Sequence, residues 1–108
     1  MIQVIVPVHS VIYDGAAIQI YHANKGEGLP KHEHTHAHLS VCHNGSLIVR
    51  KEGRELVMTK ETQPVNLTAN EWHEIEALED NTVFVNVFAT TVDGADTFDA
   101  GSVNILYE

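Results

Sequence analysis

The stretch Gly26-Glu27-Gly28-Leu29-Pro30-Lys31-His32-Glu33-His34-Thr35-His36-Ala37-His38-Leu39-Ser40-Val41-Cys42-His43-Asn44-Gly45 holds five of the chain's eight histidines. Nothing in residues 31–43 breaks an extended backbone, and Asn44-Gly45 is a strong hairpin signal. Read as one strand, the run points every second side chain to one face, so His32, His34, His36 and His38 share it. A divalent ion has a use for such a face. Neutral imidazole is a good ligand for zinc, iron, nickel and copper, and histidines at i and i+2 bring their nitrogens close enough to share one ion. Two plainer readings stand beside this one: an exposed polar strand with incidental histidines, and a loose, low-affinity histidine-rich tract. The run is internal and interrupted, unlike an expression tag.

Outward from this stretch the chain is a series of short apolar or alternating runs separated by turn residues. Residues 1–8 are β-rich and stop near Pro7; residues 16–22 alternate loosely and end at Asn24-Lys25-Gly26. Residues 47–50 and 55–59 flank the turn Lys51-Glu52-Gly53, and residues 65–67 form a short run. In residues 72–78, His73, Ile75 and Ala77 fall on one face, with Glu74 and Glu76 on the other, read as solvated. Glu79-Asp80-Asn81 turns into residues 82–88. A loop rich in Asp, Gly and Thr over residues 90–101 precedes a last strand at 103–107. About eight to ten short strands at this spacing suggest an antiparallel barrel or sandwich.

Composition agrees. The 108 residues argue for one domain. Valine, isoleucine and threonine make up over a quarter of them, which favours an all-β protein. A net charge of −9 and the lack of a basic stripe argue against nucleic-acid binding. The single cysteine, Cys42, excludes an intrachain disulfide scaffold. No apolar run approaches the length of a membrane span and no secretory leader is recognisable, so a cytoplasmic, reducing setting is the expectation.

The wider spacing narrows the reading. Gly26, five residues, His32, one residue, His34, three residues, His38, six residues, Gly45 resembles the first motif of the cupin family. His38 stands where that motif usually has glutamate. Thr68-Ala69-Asn70-Glu71-Trp72-His73 resembles the second motif, with Thr68 at the proline position, Asn70 at the glycine position and His73 kept. Asn70 is tolerable there because asparagine reaches positive φ more readily than most residues. Ala77 stands where the motif's final asparagine would be. The resemblance spans roughly residues 16–89, with the motifs at about 26–45 and 64–77.

The resemblance implies a double-stranded β-helix, a jelly-roll barrel, with one divalent transition metal ion per chain inside it. His32, His34, His38 and His73 would be the ligands, and zinc, iron, nickel or manganese the ion. The family pattern skips His36, through a local bend or bulge, which leaves it as the acid/base helper beside the ion. Ser40 and Cys42 follow His38 in step and are either pocket residues or filler. Asn86, in step with Phe84 and Phe88, brings one polar group into an aromatic wall. Trp72 faces away from His73, His43 is exposed, and His9 and His22 carry no spacing argument. Dioxygenase, isomerase and lyase chemistry on a small anionic or enolisable molecule all lie within the family's range. A non-catalytic ligand-binding or sensing module is the alternative from another class, and metal storage a third. A homodimer is expected, with residues 1–8 free to pair with a second chain.

Overall fold

The computed structural model describes residues 1–89 and the backbone of residues 105–107. The strands are β1 (Gln3–Val4), β2 (His9–Tyr13), β3 (Ala16–Ala23), β4 (Glu27–His34), β5 (His38–Asn44), β6 (Ser46–Lys51), β7 (Arg54–Thr59), β8 (Val65–Leu67), β9 (His73–Ala77), β10 (Thr82–Ala89) and β11 (Ile105–Tyr107). The described residues contain no helix, hence none long and apolar enough to cross a membrane. The strands form two sheets. One runs β1-β4-β9-β6-β7, with β11 also paired to β4; the other runs β2-β3-β10-β5-β8. Pairing is antiparallel throughout except between β1 and β4. The described residues are all-β, as the composition indicates.

The interior is layered because facing strands carry inward side chains of one kind at each level. At one level Phe84 pairs across to Tyr21 on β3 and to Cys42 on β5. The Tyr21 and Phe84 rings stack at 4.8 Å, and Leu29, Leu47, Val49, Met58 and Ile75 join them in the apolar core. One level along, Asn86 pairs with Gln19 and Ser40, and His32 pairs with His73. The barrel is thus apolar at one end and histidine-rich at the other, so hydrophobic burial at the first end holds the polar set in place.

Gly28 and Gly45 make the frame possible. A Cβ on Gly28 would run into the Ile75 carbonyl oxygen of β9, so only glycine lets β4 and β9 pair this closely. Gly45 turns β5 into β6 at φ +74° and lies against Thr82, which a side chain there would strike. Asn70 takes φ +63°, as its place in the second motif requires.

Several expectations change. The run at residues 31–43 is two strands, not one: β4 ends at His34, the chain bends at Thr35 and His36, and β5 begins at His38 in the other sheet. Strand β4 also starts four residues before Lys31 and carries Pro30 within it. That is tolerated because the pairing with β9 shifts register between Leu29 and His32. Glu74 and Glu76 do not stand free in solvent; both accept from Arg50 Nη1, at 2.7 and 2.8 Å. Residues 1–8 contribute only the two-residue β1, paired with β4 of the same chain, and β2 has no counterpart among the runs read from the sequence. The expected loop at 90–101 and the start of the last strand at 103 lie outside the described residues.

Candidate metal centre

Strand alternation places His32 and His34 on the inner face of β4, and the register sets His32 directly opposite His73 on β9. The ring centroids of His32 and His73 are 4.3 Å apart, those of His34 and His73 4.8 Å, and those of His32 and His34 5.5 Å. One ligand atom from each of these three lies within 4.8 Å of the others, and all three residues are buried. The turn before β9 is tied to β4, since the Asn70 N–H donates to the His34 carbonyl oxygen at 2.8 Å. Glu71 closes that turn by accepting from the Thr68 hydroxyl at 2.9 Å. The second motif therefore delivers His73 to the first through main-chain geometry.

The tautomers follow from the hydrogen bonds. His32 Nδ1 contacts the Pro30 carbonyl oxygen at 2.6 Å, His34 Nδ1 that of His36 at 2.7 Å, and His73 Nδ1 that of Glu71 at 3.0 Å. A carbonyl oxygen can only accept, so each Nδ1 carries the proton and each Nε2 keeps its lone pair. The Nε2 of His73 is buried with no hydrogen-bond partner. A buried acceptor left unpaired is costly, and a cation is what such an atom lacks. Imidazoles oriented through Nδ1 are the usual form of histidine ligands. These residues therefore fit a divalent transition ion, and His32, His34 and His73 could hold one.

His38 stands outside this close group. It comes from β5 in the opposite sheet, 4.6 Å from His34 and 5.4 Å from His73 by ring centroids. Its Nδ1 donates to the Ser40 oxygen at 3.3 Å, and the Ser40 hydroxyl donates to Asn86 Oδ1 at 2.7 Å. Ser40 and Asn86 thus hold the ring of His38 through this chain of hydrogen bonds. His36 sits on the bend, half-buried, stacked on Phe88 at 4.2 Å and on His34 at 4.5 Å. Its carbonyl oxygen orients His34, so the bend serves the site twice.

Burial pushes all five imidazoles below the ordinary histidine range, because a charged ring loses its water there. His36 falls to about 4, with the neighbouring His34 adding to the effect. His73 falls to about 3, chiefly by burial and then by His32. His38 falls to about 2, by burial and then by His34 and His73. In His32 and His34 the carbonyl bonds oppose the drop, and burial outweighs them. At neutral pH the cluster is uncharged and rich in lone pairs.

The remaining candidates from the sequence go elsewhere. Cys42 is buried in the apolar core. His9, His22 and His43 are exposed. Trp72 points away from the cluster, under Lys31 Nζ at 4.6 Å. Sequence reasoning misses Gln19, which is buried in the polar layer beside Asn86 and accepts from the Tyr21 hydroxyl at 3.2 Å. Its alternation with Ala17 and Tyr21 on β3 is the signal that could have found it.

No protein-family model and no curated protein matches the sequence. Solved structures do match in shape. KdgF from Halomonas sp. superposes with a TM-score of 0.69 at 17% identity, covering 83% of this chain and 81% of that one. A cupin superfamily protein from Desulfitobacterium hafniense gives 0.64 at 14% identity, covering 73% and 71%. The DMSP lyase DddQ from Ruegeria pomeroyi gives 0.68 at 11% identity, covering 88% of this chain and 44% of that one. At such identities the likeness is one of fold, and the fold is that of the cupin superfamily, a double-stranded β-helix.

Proposed function

We propose that this chain is a small metal-dependent enzyme whose ion is held by His32, His34, His38 and His73, with His36 acting beside it on a small anionic or enolisable molecule. The observation that carries the reading is the buried, unpartnered Nε2 of His73 among imidazoles whose Nδ1 atoms are committed elsewhere. With four neutral ligands, a bound zinc, iron, nickel or manganese ion would keep its full charge, favouring an anionic ligand and polarising a carbonyl or bound water. His38 is supported as the fourth ligand by the Ser40–Asn86 chain, which holds its ring toward the cluster. His36 is supported as the proton-handling group by its place at the bend, partly exposed between His34 and Phe88. Phe88 supplies an apolar ring surface against His36.

Dioxygenation, isomerisation and lyase chemistry remain the reaction classes, and the fold does not choose among them. The likeness to a DMSP lyase keeps elimination among them. A cytoplasmic, reducing setting belongs to the same reading and suits the single buried thiol of Cys42.

One observation favours a second reading, a non-catalytic module that binds or senses a small ligand. The buried polar groups among the described residues are imidazoles, amides and hydroxyls, a lining that suits ligand binding as well as catalysis. Elemental analysis and turnover decide between the readings. One ion per chain is expected for the wild type and none for His34→Ala; an ion retained after that change overturns the ligand set. Turnover of a keto acid, uronate or diketone with iron, manganese, nickel or zinc loaded is expected of the enzyme. Tight ligand binding with no turnover under any of the four metals moves the chain to the module.

A further inference from the structure

Along β10 the inward residues are Thr82, Phe84, Asn86 and Phe88, so one amide stands between two phenylalanines on the same face. Asn86 is 4% exposed. A buried amide is costly unless both of its ends are bonded. Its Oδ1 accepts from the Ser40 hydroxyl at 2.7 Å. Its Nδ2 donates to no described residue. The neighbouring amide, Gln19, lies directly opposite on β3 and gives its oxygen to the Tyr21 hydroxyl.

The histidine cluster decides which end of the Asn86 amide meets Ser40. With His38 ligating through Nε2, as in the function proposed above, Nδ1 carries the proton and donates to Ser40 Oγ at 3.3 Å. The Ser40 proton then has Asn86 as its acceptor, so Asn86 offers oxygen to Ser40 and turns its two N–H groups elsewhere. Asn86 pairs with Ser40, and His38 is the next inward residue along β5. The amide donor therefore sits one level from the His38 ring, whose centroid is 4.6 Å from that of His34 and 5.4 Å from that of His73.

We propose that Asn86 Nδ2 is a specificity-determining donor, binding the second oxygen of a small carboxylate whose first oxygen meets the ion held by His32, His34, His38 and His73. This rests on the metal-dependent reading and adds the ligand's shape to its charge. Four neutral imidazoles leave the ion's charge uncompensated, so the ion by itself attracts any small anion. The other buried polar side chains, Gln19, Ser40, Thr82 and Asn86, bring no cation. Charge alone therefore does not separate a carboxylate from hydroxide or a halide. The amide does. A monatomic anion on the ion leaves Nδ2 buried and unpaired, whereas a carboxylate satisfies the ion and the amide together. A hydrogen bond to an ionised oxygen is also about twice as strong as one to a neutral acceptor. Phe84 and Phe88, the inward residues on either side, offer no rival donor.

Cobalt(II)-loaded protein, whose visible absorption responds to an exchangeable ligand, tests this with acetate and thiocyanate as probes. Acetate has the second oxygen; thiocyanate bound through nitrogen presents a sulfur, a poor acceptor. The ratio of the two affinities is read on the loaded protein. Asn86→Leu is expected to lower that ratio about tenfold or more, the worth of a hydrogen bond to a charged group. Ser40→Ala breaks the link to His38 but keeps Nδ2. It is expected to weaken cobalt binding and to leave the ratio within about twofold. Asn86→Asp keeps an acceptor for Ser40 and replaces the donor with oxygen. It is expected to lower the ratio as well, and it carries the test if near-ultraviolet circular dichroism shows Asn86→Leu unfolded. An unchanged ratio in a folded Asn86 variant overturns the proposal, because solvent then suffices for Nδ2. An equal fall in Ser40→Ala also overturns it, because Asn86 then acts only through His38. Wild-type protein that binds no cobalt overturns the metal reading beneath it, an outcome separate from either of these.

Discussion

Replacing His73 with leucine separates its cost to the empty barrel from its use to an ion. In the metal-free protein the change removes a buried Nε2 that has no partner, a group that costs about 1–3 kcal/mol. It also removes the bond from Nδ1 to the Glu71 carbonyl oxygen, which contributes about 0.5–1.5 kcal/mol. Leucine is close enough to histidine in volume that little cavity forms. The two effects oppose each other, so the metal-free stability is expected to fall between a loss of about 0.5 kcal/mol and a gain of about 2.5 kcal/mol. With metal at a hundred times its dissociation constant, the wild type gains about 2.7 kcal/mol. For a domain of this size that is a rise in Tm of about 10–20 °C. The variant is expected to lose most of that rise. Thermal scans of both proteins, with chelator and with metal, read all four values. A variant that keeps the full metal-dependent rise refutes His73 as a ligand. A metal-free variant that loses more than about 3 kcal/mol refutes the idea that the site carries an unmet cost.

Acid should unfold the metal-free protein early. A histidine whose folded pKa lies below 6.5 binds its proton only in the unfolded chain, so nothing is lost above about pH 6.5. Below that, each such residue costs about 1.4 kcal/mol per pH unit until its folded pKa is reached. For His73 that limit is about 3 and for His38 about 2. Urea midpoints are expected to fall steeply between pH 6.5 and 5, and a flat profile over that range contradicts the burial of the cluster. Gly28→Ala is expected to destabilise the fold by about 2 kcal/mol or more, because its Cβ meets the Ile75 carbonyl oxygen. Since that contact sets β4 against β9, metal affinity should fall as well, and a titration of the purified variant measures it.

Most of this centre is legible in the sequence, for reasons that can be named. Strand alternation is local, so parity alone groups His32 with His34, and His73 with Ile75 and Ala77. The motif spacing adds that residues 32–38 and His73 converge, and positive φ at Asn70 follows from the residue type. Parity fails across the bend. Thr35 and Ala37 carry no glycine or proline signal, so the local pattern reads as one strand where the chain crosses between sheets, and His38 reaches the cluster from the opposite wall. The role of Ser40 and Asn86 depends on β5 pairing with β10, a contact between residues 46 positions apart that no local pattern encodes. The same holds for Glu74 and Glu76, whose partner Arg50 arrives from the neighbouring strand β6. Turn chemistry identifies Asn44-Gly45 correctly, yet the close approach at Gly28 is visible only once β9 is beside it.

The most direct measurement is an anomalous-difference map from crystals of the metal-loaded protein, recorded at the absorption edge of the bound ion. One peak per chain, about 2.0–2.1 Å from the Nε2 atoms of His32, His34, His38 and His73, is the expected result. A peak beside His9, His22 or His43, or no peak in a crystal of protein loaded with one equivalent of metal, would contradict it.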